Sequence, residues 1–287
     1  MLITVPGARL YAERAGQGPA LVLISGGGGD AGMYEAAVPL LARRYTVLTF
    51  DRRGNSRSPL EGSRPMTMAD QAADVVAVLD HHGVERAHVF GNSGGATIAL
   101  EVLARHGDRL LGAVVHEPPL LGLLPDGLER DVLTDLVHIS ETESPLRAFV
   151  AFAAMTMPKA PRLFRSAAGR AVTAAALSTA LALGSVTGRP PGGMARLLGN
   201  VDIMFRREVP VLLNYQPDFA ALSATDVPWC PATGRDSVGR PYYLPAHILG
   251  DRVGVPCVDF PGGHTSYQQD PEAFTSRLTE VLEGFSA

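Results

Sequence analysis

The stretch Val89-Phe90-Gly91-Asn92-Ser93-Gly94-Gly95-Ala96-Thr97 constrains this chain more than any other. An apolar run that ends in Gly-x-Ser-x-Gly and passes into a helix-forming run reads as strand, sharp turn, helix. A serine at such a turn projects above the end of its strand. Its neighbours must be small where the turn packs on adjacent backbone, and Gly91 and Gly95 meet that need. The first amides of the following helix, Gly94 foremost, then point at whatever forms beside the serine. The plainer reading of the same residues is a glycine-rich turn whose serine caps a helix. Context decides between the two.

That context is an alternation of short aliphatic or β-branched runs with amphipathic ones, the pattern of a mostly parallel sheet covered by helices. Strands are predicted at 2–5, 9–14, 20–24, 46–50, 87–90, 111–116, 227–233 and 257–260, and helices near 33–43, 68–82, 96–106, 241–253 and 271–285. The expectation is an α/β fold: an eight-stranded sheet flanked by helices. From about Pro118 to Asp226 the alternation stops; the segment is rich in Ala, Leu, Met and Arg at helical spacing. It is read as a helical cap, 118–226, inserted into a core made of 1–117 and 227–287. Within it, the small-residue run 167–176 favours close helix packing, and Gly188-Arg189-Pro190-Pro191-Gly192-Gly193 reads as a loop or hinge. A length of 287 residues with 46% hydrophobic content suffices for a sizeable core.

The formal net charge is −4 and the basic residues are scattered, so no footprint for nucleic acid or an anionic membrane is present. Met1-Leu2-Ile3-Thr4-Val5-Pro6-Gly7 has neither the basic nor the apolar part of a signal peptide, and no run reaches the length of a membrane span. A cytoplasmic protein with a small-molecule partner is expected, a homodimer being left open. Cys230 and Cys257, far apart and without CxxC spacing, read as buried core thiols. Nothing calls for a metal or an organic cofactor.

Two further segments bear on Ser93. After the strand at 20–24 comes Ser25-Gly26-Gly27-Gly28-Gly29-Asp30. Glycines let backbone turn an amide inward, and Gly27 is the candidate second donor, with Gly94, for an oxyanion at the serine. Phosphate binding fits less well, because the Lys-Ser/Thr of a P-loop and the dinucleotide spacing are both missing. Near the C-terminus, Phe260-Pro261-Gly262-Gly263-His264 follows the last strand and precedes the last helix. His264 therefore hangs over the sheet edge as the candidate general base, whereas His81 and His82 look like a solvated helix end. The imidazole needs a carboxylate to fix its tautomer and stabilise its protonated form. Asp236, after the strand at 227–233, and Glu117, after the strand at 111–116, both qualify, and the sequence excludes neither. Either could instead cap a helix, order a turn or anchor the insertion.

The order Ser93, acid, His264 resembles the α/β-hydrolase fold. Asp51-Arg52-Arg53-Gly54-Asn55-Ser56-Arg57-Ser58 resembles the Asp-x-x-Gly-x-Gly-x-Ser turn found there, whose role is structural. Together with Asp30-Ala31-Gly32-Met33-Tyr34 and His116-Glu117-Pro118-Pro119, it is similar to the branch that includes the fungal zearalenone lactonases. That resemblance implies an ester or lactone hydrolase with a Ser93–His264–Glu117 triad; Asp236 stands where most of the wider family carries the acid. The same parts would serve thioester or carbon–carbon bond hydrolysis, and a non-hydrolytic ligand-binding protein is the rival from another class. Epoxide or haloalkane chemistry is disfavoured by serine at the elbow. Leu120, Leu121, Phe149, Phe152, Met155, Met157 and Met204 are expected to roof the serine and favour a bulky apolar substrate.

Overall fold

The structure, a computed structural model, describes residues 1–126, 131–157, 160–186 and 192–285. Most of the predicted 188–193 loop lies outside the described residues. Eight strands form one sheet: β1 (Leu2–Val5), β2 (Ala8–Ala15), β3 (Ala20–Ile24), β4 (Thr46–Phe50), β5 (Ala87–Asn92), β6 (Leu110–His116), β7 (Trp229–Gly234) and β8 (Val258–Phe260). Their spatial order is β1-β2-β4-β3-β5-β6-β7-β8. β2 runs antiparallel to both of its neighbours, and all pairings from β4 to β8 are parallel.

β3, β4 and β5 are buried at every residue; β3 is apolar throughout, and the apolar runs of β4 and β5 are broken by the buried Thr46, Thr49, His88 and Asn92. Alternate residues feed two cores on opposite faces of the sheet. Val22 and Ile24 join a cluster with Val75, Leu79, Ile98 and Val102, whereas Leu21 and Leu23 join Tyr34, Phe90, Phe274 and Leu278. Each such side chain is worth about 1.5–3 kcal/mol when fully buried.

The covering helices are α1 (Met68–His81), α2 (Gly94–His106), α7 (Tyr243–Val253) and α8 (Pro271–Gly284). Their starts carry local signals. Thr67 accepts from Asp70 N at 3.0 Å at the start of α1, and Asp270 accepts from Ala273 N at 3.1 Å at the start of α8. The helix predicted over 33–43 is two pieces, a 3-10 turn at Ala31–Tyr34 and one α-turn at Val38–Leu41. Pro39, with no N–H to donate, sits in the first turn of the second piece and starts a helix there.

Between β6 and β7 the chain is helical, with no strand among its described residues. α3 (Val132–Thr142), α4 (Pro145–Thr156), α5 (Ala167–Val186) and α6 (Gly193–Gly199) are followed by a helical stretch through Leu213 that contains a π-helical section, Met204–Glu208. This segment has its own apolar cluster, built around Leu133, Leu136, Val201 and Phe205. Cys230 is buried but Cys257 is only half-buried, since it precedes β8 at the sheet edge. Burial pushes the first thiol up to about 12 and the second up to about 11, which leaves both unreactive at neutral pH. Among the described residues no helix is long and apolar enough to cross a membrane.

Candidate active site

Ser93 sits between β5 and α2 with φ +55° and ψ −123°, and its side chain does not cap the helix. Such a conformation costs about 1–3 kcal/mol for a residue with a Cβ. It is held by Ser93 N donating to His116 O at 2.9 Å and by Ser93 O accepting from Ala96 N at 2.9 Å. The flanking glycines are required by close approach. A Cβ on Gly91 would lie 2.3 Å from Gly95 O, and one on Gly95 2.2 Å from Ile24 O. The elbow is thus wedged against the loop after β3, and Ser93 is half-exposed among buried neighbours.

Glu117 follows β6 and is fully buried, also at positive φ, +51°. Its amide donates to Ala232 O at 2.9 Å, which fixes the turn. Its carboxylate takes two bonds at once: Oε1 accepts from Gly234 N at 2.7 Å, and Oε2 lies 2.6 Å from His264 Nδ1. Burial by itself would raise this carboxyl, but the imidazoles of His116 and His264 outweigh it and hold the pKa below the ordinary value. His264 is 5% exposed and has the Tyr242 ring stacked against it, centroids 4.1 Å apart.

Asp236 is placed differently. It is exposed, and the contact it makes to the histidine loop is through backbone, its amide donating to Gly262 O at 2.9 Å. The carboxylate engaged with His264 is that of Glu117.

The glycine loop lies directly beside the elbow. A Cβ on Gly26 would be 3.0 Å from Ser93 Cβ, and Gly27 N is 3.9 Å from where a Cβ on Gly94 would stand. Gly27 and Gly94, the residues whose amides are named from the sequence, both border a small space beside Ser93. The 51–58 turn braces this loop. Asp51 Oδ1 accepts from Ala31 N at 2.8 Å, and Ser58 Oγ donates to Asp51 O at 2.6 Å. Ser56 occupies the second glycine position of that turn and keeps the positive φ, +49°. Hydrogen bonds hold it there: Ser56 N donates to Asn200 Oδ1 at 2.7 Å, and Ser56 Oγ bonds Asp30 at 2.5 Å. Asn200 and Arg196, which pairs with Asp30 at 2.7 Å, come from the helical segment and tie it to the core loops.

Ser93 and His264 open on a cavity of about 450 Å³ lined by Phe149, Phe152, Met157, Phe164, Leu177 and Leu197 among others, with no Asp, Glu, Lys or Arg among its described lining residues. A second space of about 30 Å³ adjoins the same two residues and is bounded by Met155, Met204, Glu208 and Tyr242. A groove of about 470 Å³ elsewhere contains neither Ser93 nor His264. Leu120 and Leu121, expected in the roof, line that groove instead: Leu120 packs into the main core and Leu121 into the cluster of the helical segment. Residues that the sequence did not single out include Tyr242, Glu208 and the buried pair Asn92–His116, whose Oδ1 and Nδ1 are 2.7 Å apart. The pair's signal is cross-strand register, Asn92 facing His116, which only the sheet order reveals; Tyr242 and Glu208 lie outside the strands and have no such signal.

A hydroxyl that opens on the same cavity as an imidazole whose other ring nitrogen meets a buried carboxylate can lose its proton to that imidazole as it attacks a carbonyl. Among the described residues no cluster of three or more His, Cys, Asp or Glu side chains has the makings of a metal site.

Comparison with known proteins agrees with this architecture. The profile of the alpha/beta hydrolase fold matches residues 19–220. The uncharacterized hydrolase YraK of Bacillus subtilis (strain 168) is 32% identical over 98% of this chain and 95% of its own length. The zearalenone hydrolase of Bionectria ochroleuca is 36% identical over 40% of this chain and 46% of its own. The crystal structure of the enol-lactonase from Burkholderia xenovorans LB400 has the same fold, with a TM-score of 0.65 at 19% identity over 99% of this chain and all of that one. From the elbow, the sheet and these matches together, the chain belongs to the α/β-hydrolase family and is a hydrolase.

Proposed function

We propose that the protein hydrolyses a carboxylic ester or lactone through an acyl-serine intermediate. The observation that carries this reading is the buried Glu117–His264 contact of 2.6 Å opening on the same cavity as Ser93. In the proposed reaction Ser93 Oγ attacks the carbonyl carbon while its proton passes to His264 Nε2. The carbonyl oxygen becomes an oxyanion that accepts from Gly27 N–H and Gly94 N–H. Collapse expels the alkoxide, which takes the proton back from His264; in a lactone the resulting alcohol stays tethered to the acyl group. A water deprotonated by His264 then attacks the ester of Ser93, and the acid leaves. Throughout, ionised Glu117 keeps the Nδ1 proton in place and stabilises the imidazolium.

In this reading residues 118–226 act as a cap, and the cavity beneath it favours neutral, bulky, apolar acyl or lactone groups, because its described lining offers no charged side chain to compensate a buried charge. The name zearalenone hydrolase, borne by a relative, agrees with a large lactone as one candidate. The test is a panel of acyl esters and lactones run alongside fluorophosphonate labelling. Turnover and labelling that both disappear in Ser93→Ala support the reading; binding of panel members without turnover or labelling would transfer the protein to the ligand-binding class.

A further inference from the structure

Arg52 lies in the braced turn after β4, one residue past Asp51, and is 3% exposed. Its backbone amide donates to Gly29 O at 2.8 Å, so it already touches the glycine loop through the main chain. Its guanidinium does more. Nη2 donates to Gly26 O at 2.7 Å and to Glu208 Oε2 at 2.9 Å, while Nη1 donates to Gln71 Oε1 at 2.6 Å and lies 2.8 Å from Glu208 Oε1. Asn55 Nδ2 donates to the same Glu208 carboxylate at 2.7 Å. A buried cation is thus held from α1 by Gln71 and from the helical segment by Glu208, and the arm that meets Glu208 Oε2 also reaches Gly26 O, a carbonyl that accepts from Gly29 N at 3.1 Å as well.

That carbonyl belongs to the peptide unit whose N–H is that of Gly27. A trans peptide is planar, with C=O and N–H pointing in opposite directions. A guanidinium that draws Gly26 O to one side therefore turns Gly27 N–H to the other, toward the space that Gly27 shares with Ser93. The positive charge on the oxygen side also polarises the peptide and makes its N–H a stronger donor. We infer that Arg52 is a positioning residue for the oxyanion hole, aiming and polarising the Gly27 amide. Glu208 makes that aim depend on the seating of the helical segment. Glu208 sits at the end of the π-helical section Met204–Glu208, and Met204 from the same section covers Gly27: a Cβ there would be 2.6 Å from Met204 Cε. Lifting this section would withdraw the carboxylate from Arg52 and the cover from Gly27 together, so a well-seated segment and a competent oxyanion hole are one state.

This inference rests on the serine-hydrolase reading, and the experiment separates the two. Wild type, Arg52→Met, Arg52→Lys and Glu208→Gln are compared on the best p-nitrophenyl ester of the panel and with a trifluoromethyl ketone of matching chain. Ser93 Oγ adds to that ketone carbon, its proton passes to His264, and the tetrahedral oxyanion must be held by the same amides. Arg52→Met should lower kcat on the order of 10²-fold, the scale of losing one oxyanion donor, with KM changed by less than about threefold. The ketone's inhibition constant should weaken in parallel with kcat. Arg52→Lys, which keeps a charge for Gly26 O but loses the planar fork, should recover part of the loss, and Glu208→Gln should fall between Arg52→Lys and wild type. If Arg52→Met does not fold, the other two variants carry the test by the same parallel. A merely structural role would lower the melting temperature and raise KM without moving kcat and ketone affinity together, and that result overturns the inference, as does a folded, fully active Arg52→Met. Wild type inert toward every ester and ketone would sink the hydrolase reading, and this inference with it.

Discussion

The floor and the roof of the Ser93 cavity are built from different forces. On the floor, Ser93 and Glu117 are both held at positive φ, and each is locked by a backbone bond to a neighbouring strand. The roof is made of Phe149, Phe152, Met157, Phe164 and Leu177, which pack without direction, and large apolar side chains there, Met157, Leu163, Val172 and Leu183, remain exposed. Directional bonds fix the atoms between which bonds would form and break. Apolar contact fixes only how much surface a ligand can bury. Floor substitutions should therefore act on kcat, and roof substitutions on KM and on which substrates are accepted. The largest effect expected is on the floor: Ser93→Ala and His264→Ala should each lose about 10⁴-fold or more in turnover with the fold retained, and the double variant should lose little more, because the two act as a unit. Additive losses in single-turnover assays would break the floor into independent parts.

The next effect sharpens the floor itself by weighing its two carboxylates. Glu117→Gln keeps shape but removes the charge that faces the imidazole, and turnover should fall on the order of 10²-fold or more. Asp236→Asn alters an exposed side chain whose amide, not its carboxylate, meets the histidine loop, and should cost about tenfold or less. The reverse ranking in steady-state kinetics would move the acid role to Asp236.

Floor and roof were also unequally legible in the sequence. Ser93, His264 and the glycine loop announce themselves because each needs a backbone that few residues allow, and such demands leave Gly-rich signatures at fixed places after strands. The strands were legible for a related reason: the buried β3 carries an unbroken aliphatic run and the half-buried β1 alternates, and the predicted and observed ends of all eight differ by at most two residues. Between Glu117 and Asp236 the sequence left the choice open, because both follow strands that end near His264 and only side-chain direction separates them. The roof was hardest. Helical spacing says that Leu120 and Leu121 are apolar and buried, but not against what; they pack away from the cavity, while Phe149, Phe152 and Met157 line it. Arg52 lies in a turn that the sequence marks only as structural and Glu208, 156 residues away, carries no local mark, so their contact shows only in the tertiary fold.

A roof substitution should leave kcat alone if the contrast holds. Phe152 borders both spaces beside Ser93 and packs edge-on against Phe205, centroids 6.5 Å apart. Phe152→Ala should lower kcat/KM for bulky apolar esters by about tenfold, the scale of a few lost apolar contacts, while an acetyl ester should change by less than about threefold. Equal losses for both esters would mean that the ring steadies the floor. If acetyl esters proved the best substrates of wild type, the apolar chamber would be the wrong picture.

The smallest effect expected concerns how the floor responds to acid. His116 is fully buried between Phe90 and Phe260, and burial, with the nearby His264 adding to it and Glu117 opposing it, pushes its pKa down to about 4. An unfolded histidine titrates near 6.5. Between these values the unfolded chain binds a proton that the folded one refuses, so stability falls as pH drops and is fully present only above about 6.5. By pH 6 the loss from this one residue is about 1 kcal/mol relative to pH 8, and it grows toward pH 4. Glu117 acts later: its folded pKa is lowered, so its contribution is complete above the ordinary carboxylate range and disappears only as pH falls through the lowered value. His116→Phe keeps a ring between the two phenylalanines and removes the proton site. It should be less stable at pH 8, because Asn92 Oδ1 loses its 2.7 Å partner. Its urea midpoint should nevertheless move less than that of wild type between pH 8 and pH 6. If both proteins shift equally, the acid sensitivity of the floor lies in other groups, and the neutral His116–Asn92 contact contributes only packing.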